Sequence, residues 1–362
     1  MRSGTTPNPS ADDSPAQDAL DSALTRLHRT DLEYESGGMD GLSNHGPMAA
    51  ETLDALGAPE RIDAFVDGYA ERLRPFRSAA ALAWDTRANH LGDAGSGSAW
   101  VAAMEDQLAA ATDPGARFGE LVVELLPGYV AAAVHGPLRA SHAWRAWGRH
   151  PSDVRARELA FGLAYWAMRY QTLPGTPGAK ARSGVDVLAT LRAVPIVDPG
   201  RRSDGLIFEQ VRVLDAEPGF AQAIEAVDLT GAEPGAHLSA LASAGAKLYL
   251  RAPEGRFTYM HALTGTVALR RLGSAIGEAR MPEAVGYGLQ AVAGLLAVNG
   301  APADWDAPWT EATTAAPDAV ARAAAASHDD HTIKFVDAAL SEYARTPHPE
   351  FLAAAAHRAG VV

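Results

Sequence analysis

The chain has 362 residues, 47% of them hydrophobic and 7% aromatic, with a formal net charge of −13 and no cysteine. The acidic balance disfavours a nucleic-acid partner, which calls for a basic face, and also an anionic membrane surface; the missing cysteines exclude disulfides, thiolate metal sites and Cys nucleophiles. Abundant alanine with sparse Val and Ile predicts an all-α fold, no apolar run is read as reaching the roughly 18 residues of a membrane span, and Arg2 is followed by no apolar stretch, so the cytoplasm is the expected location.

Residues 1–17, rich in Ser, Pro, Asp and Thr, are expected to form a disordered tail ahead of one helical domain over 18–362. Helical periodicity starts near Asp18, with Leu20, Leu24 and Leu27 on one side. The segment Tyr34–Pro47 is Gly-rich. At its end Ser43 or Asn44 is placed to cap the next helix, with Pro47 in the first turn and a stop at Gly57 before Pro59. His45 then sits at a helix entrance. Ile62, Phe65, Val66, Tyr69 and Leu73 form a one-sided stripe ended by Pro75, and Trp100, Val101, Met104 and Leu108 mark another helix before the turn Asp113-Pro114-Gly115.

Residues 117–148 read as a long helical stretch broken at Pro127 and Pro137, hence a kink or two helices, and they contain His135 and His142. A helix follows over roughly 154–170, then a loop over 171–184, then short helices and loops up to Gly235. Helices resume at about 237–248, 257–273 and 283–298, with Leu248-Tyr249-Leu250 as a candidate extended piece. The loop Asn299–Thr310 leads to final helices over about 316–345 and 348–359, and no internal repeat is visible.

Of the 12 histidines, His28, His90, His150, His237, His328, His348 and His357 lie at loops, helix ends or polar faces and read as surface residues. His45, His135, His142, His261 and His331 lie beside small or apolar residues in core-facing stretches. Each would suffer desolvation without a partner, and a shared metal supplies one, since neutral imidazole suits Zn, Cu, Fe or Ni. His331 and Lys334, three apart, share a helix face. The plain alternative for Lys334 is a stem lying along apolar surface. A lysine aimed at a metal must instead be neutral, because an ammonium and a divalent cation repel. A neutral amine takes up carbon dioxide to become a carbamate, in effect a carboxylate on a long stem.

Leu42-Ser43-Asn44-His45-Gly46 with Leu56-Gly57-Ala58-Pro59, His135-Gly136-Pro137-Leu138-Arg139-Ala140-Ser141-His142-Ala143, Met260-His261-Ala262-Leu263-Thr264 and His331-Thr332-Ile333-Lys334-Phe335 together resemble the questin oxidase-like family of aromatic polyketide-tailoring enzymes. These stretches span residues 42–335. The resemblance implies a helical fold and oxidation of anthraquinone-type substrates, by C–C cleavage or Baeyer–Villiger-like oxygen insertion. It also implies non-haem Fe(II) held by four histidines and a carboxylated lysine. Lys334 matches the lysine; His45, His261 and His331 match histidine motifs; the fourth is His135 or His142, with His135 preferred and the other facing the substrate or supporting a ligand. Pro137 stands where that family tends to have an aliphatic residue.

The expected reaction is that of a dioxygenase on a reduced aromatic polyketide such as an anthrahydroquinone, with dioxygen as co-substrate and a separate reductase as a candidate partner. Arg139, Tyr259 and His142 are the candidates for orienting phenolate oxygens or moving protons. Two other functions fit the sequence: metal-free acid–base catalysis by the histidines on a phenolate that reacts with oxygen itself, and non-catalytic binding of a flat aromatic ligand. No dinucleotide fingerprint is present, since Gly95-Ser96-Gly97-Ser98-Ala99-Trp100 lacks the third glycine. The oligomeric state stays open.

Overall fold

The computed structural model describes residues 14–311 and 313–361, and within them the fold is helical apart from one two-stranded hairpin. Helix α1 (Ser14–Leu27) takes in four residues assigned from composition to the tail; the remainder of that tail, residues 1–13, lies outside the described residues. Strands β1 (Glu33–Ser36) and β2 (Met39–Ser43) follow, in a stretch whose glycines suggested only irregular chain. Gly37 and Gly38 explain the hairpin. Both have positive φ, 61° and 81°, as a two-residue turn of the twist-matching kind requires.

Helices α2 (Gly46–Ala55), α3 (Ile62–Ala70), α4 (Gly97–Ala110) and α5 (Pro114–Leu125) come next. Then come α6 (His135–Arg149) and α7 (Asp153–Met168). The weakly patterned middle holds the short helices α8 (Val187–Ala193), α9 (Ile207–Gln210) and α10 (Pro218–Glu225). The long core helices are α11 (Pro234–Arg251), α12 (Arg256–Ile276) and α13 (Met281–Asn299). The described chain closes with α14 (Pro317–Ala326), α15 (Asp330–Arg345) and α16 (Pro349–Ala359).

Three expectations change. Leu248-Tyr249-Leu250 is helical, the end of α11. The single helix expected over 316–345 is two, interrupted at Ser327-His328-Asp329, where Asp329 caps α15 by accepting from the His331 N–H at 3.1 Å. The stretch 117–148 is two helices, one of the two outcomes its prolines predict: α5 stops at Leu125 ahead of Pro127, and Pro137 belongs to the start of a new helix and does not kink one. It lies in the first turn of α6, where its missing N–H has no intrahelical acceptor to lose. One stretch, Glu278–Asn299, is after all long and apolar enough to cross a membrane; 78% of its most apolar window is buried inside the fold, so that surface meets protein.

Four helices set the geometry that matters for function. Helix α2 packs on α6, α6 on α12, α12 on α15, and α15 back on α2, a closed ring. Helix α7 backs α6 so closely that a Cβ on Gly162 would sit 2.9 Å from Ala140 Cα and 3.0 Å from Ala140 N. Both obstacles are backbone, so no side-chain rotation relieves them. Gly162→Ala is therefore expected to push α6 off α7 and destabilise the fold by about 1–3 kcal/mol, read as a lower urea midpoint; a midpoint equal to the parent's would show that the two helices have room to spare.

Candidate metal centre

The residue Asn44 fixes the start of α2. Its Nδ2 donates to Asp31 O at 2.8 Å and to Thr30 Oγ1 at 3.0 Å, while its Oδ1 accepts from the Gly46 N–H at 3.0 Å. The side chain thus serves an orphan donor of the helix from one position earlier than a usual cap. His45 occupies the cap position itself, its N–H bonded to Tyr69 Oη at 2.7 Å, and its ring is left free to point inward. His135 is the first residue of α6 and follows three left-handed residues, Ala132, Ala133 and Val134. His261 lies in the second turn of α12. His331 lies in the first turn of α15, with Lys334 one turn further on.

Each helix of the ring thus presents one imidazole at or near its N-terminal end, and the four imidazoles meet. His45 stacks on His135 with ring centroids 4.7 Å apart and meets His331 edge-on at 4.7 Å. His261 stands 4.8 Å from His135 and 6.1 Å from His331. One nitrogen from each of His45, His135 and His331 lies within 4.8 Å of the other two. Lys334, 5% exposed, lines the same small hollow as His135, His261 and His331.

The hydrogen bonds of the rings assign their tautomers. His135 Nδ1 donates to Ala132 O at 2.5 Å and His261 Nδ1 to Phe257 O at 2.8 Å. A carbonyl only accepts, so in each neutral ring the proton sits on Nδ1 and the lone pair on Nε2. His45 and His331 turn Nδ1 to the same atom, Asp330 Oδ1, at 2.6 and 2.9 Å. The Nε2 atoms of His45, His135 and His331 are buried and have no hydrogen-bond partner among the described residues. Metal-binding histidines are held this way, with the far nitrogen fixed on a carbonyl or carboxylate and the near one bare.

Electrostatics favour neutral rings and an anionic neighbour. Burial, helped by Lys334, lowers His45 to about 3. Burial, helped by His331, lowers His261 to about 3, and burial together with His45 holds His135 well below the usual range. Burial opposes the charge of His331 too, but its bonds to Asp329 and Asp330 outweigh that and raise it. Burial alone would raise Asp330; His45 and His331 hold it well below the usual carboxylate range instead. Burial lowers Lys334 to about 8, against the pull of Asp330, whose Oδ1 is 4.0 Å from Nζ.

A small pocket of about 90 Å³ opens beside the imidazoles. Its walls are mainly apolar: Leu42, Ala132, Ala133, Ile207, Phe208 and Phe257. Phe257 is 56% exposed and packs beside His261 and His331, 5.3 and 5.2 Å away.

Three candidates lie elsewhere. His142 is seven residues past His135, about 10 Å down the helix. Its Nδ1 meets Glu51 Oε2 at 2.7 Å. Arg139 forms a buried two-point pair with Glu158, at 2.8 and 3.1 Å, which His28 joins at 2.9 Å. Tyr259 donates its hydroxyl to Gly300 O; two residues before His261, it is about 200° away around the helix and faces the opposite side. None of the three lines the pocket. His28 and His237, read as surface residues, are buried.

Sequence reading missed Asp330, which it placed inside one continuous helix over about 316–345 and gave no role. The signal was its place directly before His331 and four before Lys334. It also missed Tyr165, whose apolar helix gave no hint of a pocket. The chain matches no protein-family model, and no curated protein matches its sequence.

The buried neutral rings make stability pH-dependent. His45, His142 and His261 are held at about 3, 4 and 3. Below about pH 6.5 the unfolded chain binds protons that these rings refuse in the folded state, so stability is full above about pH 7 and falls towards pH 4. By about pH 5 each ring contributes a loss on the order of 1–2 kcal/mol, offset in part by His331, whose shift has the opposite sign. The urea midpoint of metal-free protein should therefore drop steadily between about pH 7.5 and 5; a flat profile would mean that the rings take up protons freely in the folded protein.

Proposed function

We propose that the chain is a non-haem iron oxygenase acting on a flat aromatic polyketide of the anthraquinone or anthrahydroquinone type, by C–C cleavage or Baeyer–Villiger-like ring opening. The observation that carries this reading is the set of bare, buried Nε2 atoms on His45, His135 and His331, each ring fixed through Nδ1. A buried lone pair without a donor costs free energy, and a shared cation removes that cost at all three at once.

On this reading His45, His135, His261 and His331 hold the ion, and Lys334 completes the set as a carbamate. The lowered Lys334 leaves more neutral amine near neutral pH than an ordinary lysine does. The ammonium gives up one proton to become the neutral amine, whose nitrogen bonds to the carbon of carbon dioxide while a second proton goes to solvent; with two protons released, a cation beside the metal site becomes an anion. Ferrous iron, when bound, supplies the one-electron chemistry that lets ground-state dioxygen react with an electron-rich ring. Asp330 keeps two ligand rings in the metal-binding tautomer. The apolar walls around Phe208 and Phe257 exclude water and accept a planar substrate. Cytoplasmic residence fits a chain without cysteine, and a separate reductase there would supply the reduced substrate.

Purified protein should contain about one iron per chain, and incubation with ¹³C-bicarbonate should give a carbamate signal that Lys334→Ala abolishes. That variant should lose iron and substrate-dependent oxygen uptake. Asp330→Asn should weaken Fe(II) about 10–100-fold, as loss of a ligand-orienting partner does elsewhere. Full iron and full oxygen uptake in Lys334→Ala would remove the lysine from the ligand set; protein that takes up no metal at all would end the oxygenase reading.

A further inference from the structure

Two hydroxyls in the wall of the pocket are served by nothing in the described fold except each other. Ser43 Oγ and Tyr165 Oη are both buried, neither makes a well-formed hydrogen bond among the described residues, and they lie close enough to interact with one another. Ser43 is 7% exposed and Tyr165 is fully buried, and both line the space beside His45, His135, His261 and His331. They come from elements outside the ligand ring, Ser43 from the end of β2 and Tyr165 from α7. Buried hydroxyls are nearly always paired, and an unpaired one costs about 1–3 kcal/mol. Two of them in one otherwise apolar wall mark a place where a ligand oxygen belongs.

Both positions are held in place. Ser43 ends the strand that leads into Asn44, whose side chain ties the loop to Thr30 and Asp31. Glu33, the residue paired with Ser43 across the hairpin, is clamped by a two-point pair with Arg169, at 2.5 and 2.6 Å, and Arg169 follows directly on the helix that carries Tyr165. The guanidinium of Arg169 also stacks on Phe208, 5.0 Å from its ring centre, so the aromatic wall and the two hydroxyls are fixed by one residue. The apolar surface of Phe257 lines the same pocket.

We propose that Ser43 and Tyr165 form the polar recognition pair of this pocket, binding one oxygen, quinone or phenol, of a fused-ring aromatic substrate whose rings lie between Phe208 and Phe257. This deepens the aromatic-substrate reading above and rests on it; it does not require the metal to be iron. Each hydroxyl donates to a carbonyl oxygen or accepts from a phenol. The pair therefore distinguishes an oxygenated polycycle from a bare hydrocarbon of the same shape, because the hydrocarbon offers neither hydroxyl a partner.

The test uses two probes of equal ring size, 1,8-dihydroxyanthraquinone and anthracene, titrated by fluorescence into the full chain, its Tyr165→Phe and Ser43→Ala variants and the double variant. Far-UV circular dichroism and iron content are measured on the same preparations. Each single variant should weaken the dihydroxyanthraquinone about tenfold, one good hydrogen bond, and leave anthracene unchanged or slightly tighter. A merely structural role would move both probes together. Equal affinities of parent and variants for the dihydroxyanthraquinone, as expected if solvent already serves both hydroxyls, overturn the proposal, and so does equal weakening of both probes. If neither probe binds the parent, this proposal and the aromatic-substrate reading fall together. Discrimination between probes by protein that takes up no iron supports the recognition pair while ending the oxygenase reading.

Discussion

Beneath the imidazoles lies a buried charge network on which the centre depends. Glu51 of α2 accepts from Arg145 of α6 at 2.7 and 2.5 Å, and from His142 at 2.7 Å. Arg145 donates across to Asp337 of α15 at 2.9 Å, and Arg271 of α12 reaches the same carboxylate at 2.7 Å. The four helices joined here are the four that each supply one imidazole. Charges taken out of water are tolerated only when every partner is in place, and losing one partner typically costs several kcal/mol. Sliding one helix past another would strand a buried charge, so the network fixes the helix register from below and the imidazoles inherit that register. His142, a candidate for the chemistry, belongs to this layer: it holds the scaffold.

The helix ends explain the charge balance at the centre. The ligand candidates cluster at or near N-terminal ends, where the helix dipole places partial positive charge. Such ends oppose protonated rings, and they act in the same direction as the burial that lowers His45, His135 and His261. They also oppose a bare divalent cation, so a metal here needs anionic compensation close by. Asp330 supplies one charge from the outer side, bonded to two rings at once. A carbamate on Lys334 would supply another from the inner side. Ammonium and carbamate are therefore not equivalent states of that side chain: with the cation present, the first adds to the excess of positive charge and the second cancels part of it.

How much of this was legible depends on how local the cause is. The stripe Ile62, Phe65, Val66, Tyr69 is buried as its spacing predicts, and His45 stands at a helix entrance because Asn44 and Pro47 build one. Composition was enough for the all-α class. The hairpin was missed although Gly37-Gly38 is its chemical signal, because the strands beside it are short and polar. Arg139 and Tyr259 were misplaced because nearness in sequence to a ligand motif says nothing about which helix face a side chain takes. Asp330 drew no notice in the sequence because its partner His45 lies 285 positions away on the approaching α2. Closure of the ring is a non-local fact, and a sequence taken alone does not contain the pairings α2·α6 and α15·α2.

The least legible feature is the left-handed run Ala132-Ala133-Val134, with φ of 49°, 56° and 65°. Alanine is the best helix former, and each residue held here costs roughly 1–2 kcal/mol. Such strain persists only where the surroundings over-determine it, and they do. On one side Gly136 and Ala140 seat α6 against Trp166 and Gly162 of α7; on the other, Val134 packs against Gly265 of α12, where an added Cβ would come within 3.1 Å. The run reverses the chain within one turn. It brings Ala132 O back onto His135 Nδ1 and lays two methyl groups, Ala132 and Ala133, along the pocket. The left-handed run thus forms part of the pocket wall beside the imidazoles, and a side chain larger than methyl at Ala132 or Ala133 would take up space that the pocket now leaves open.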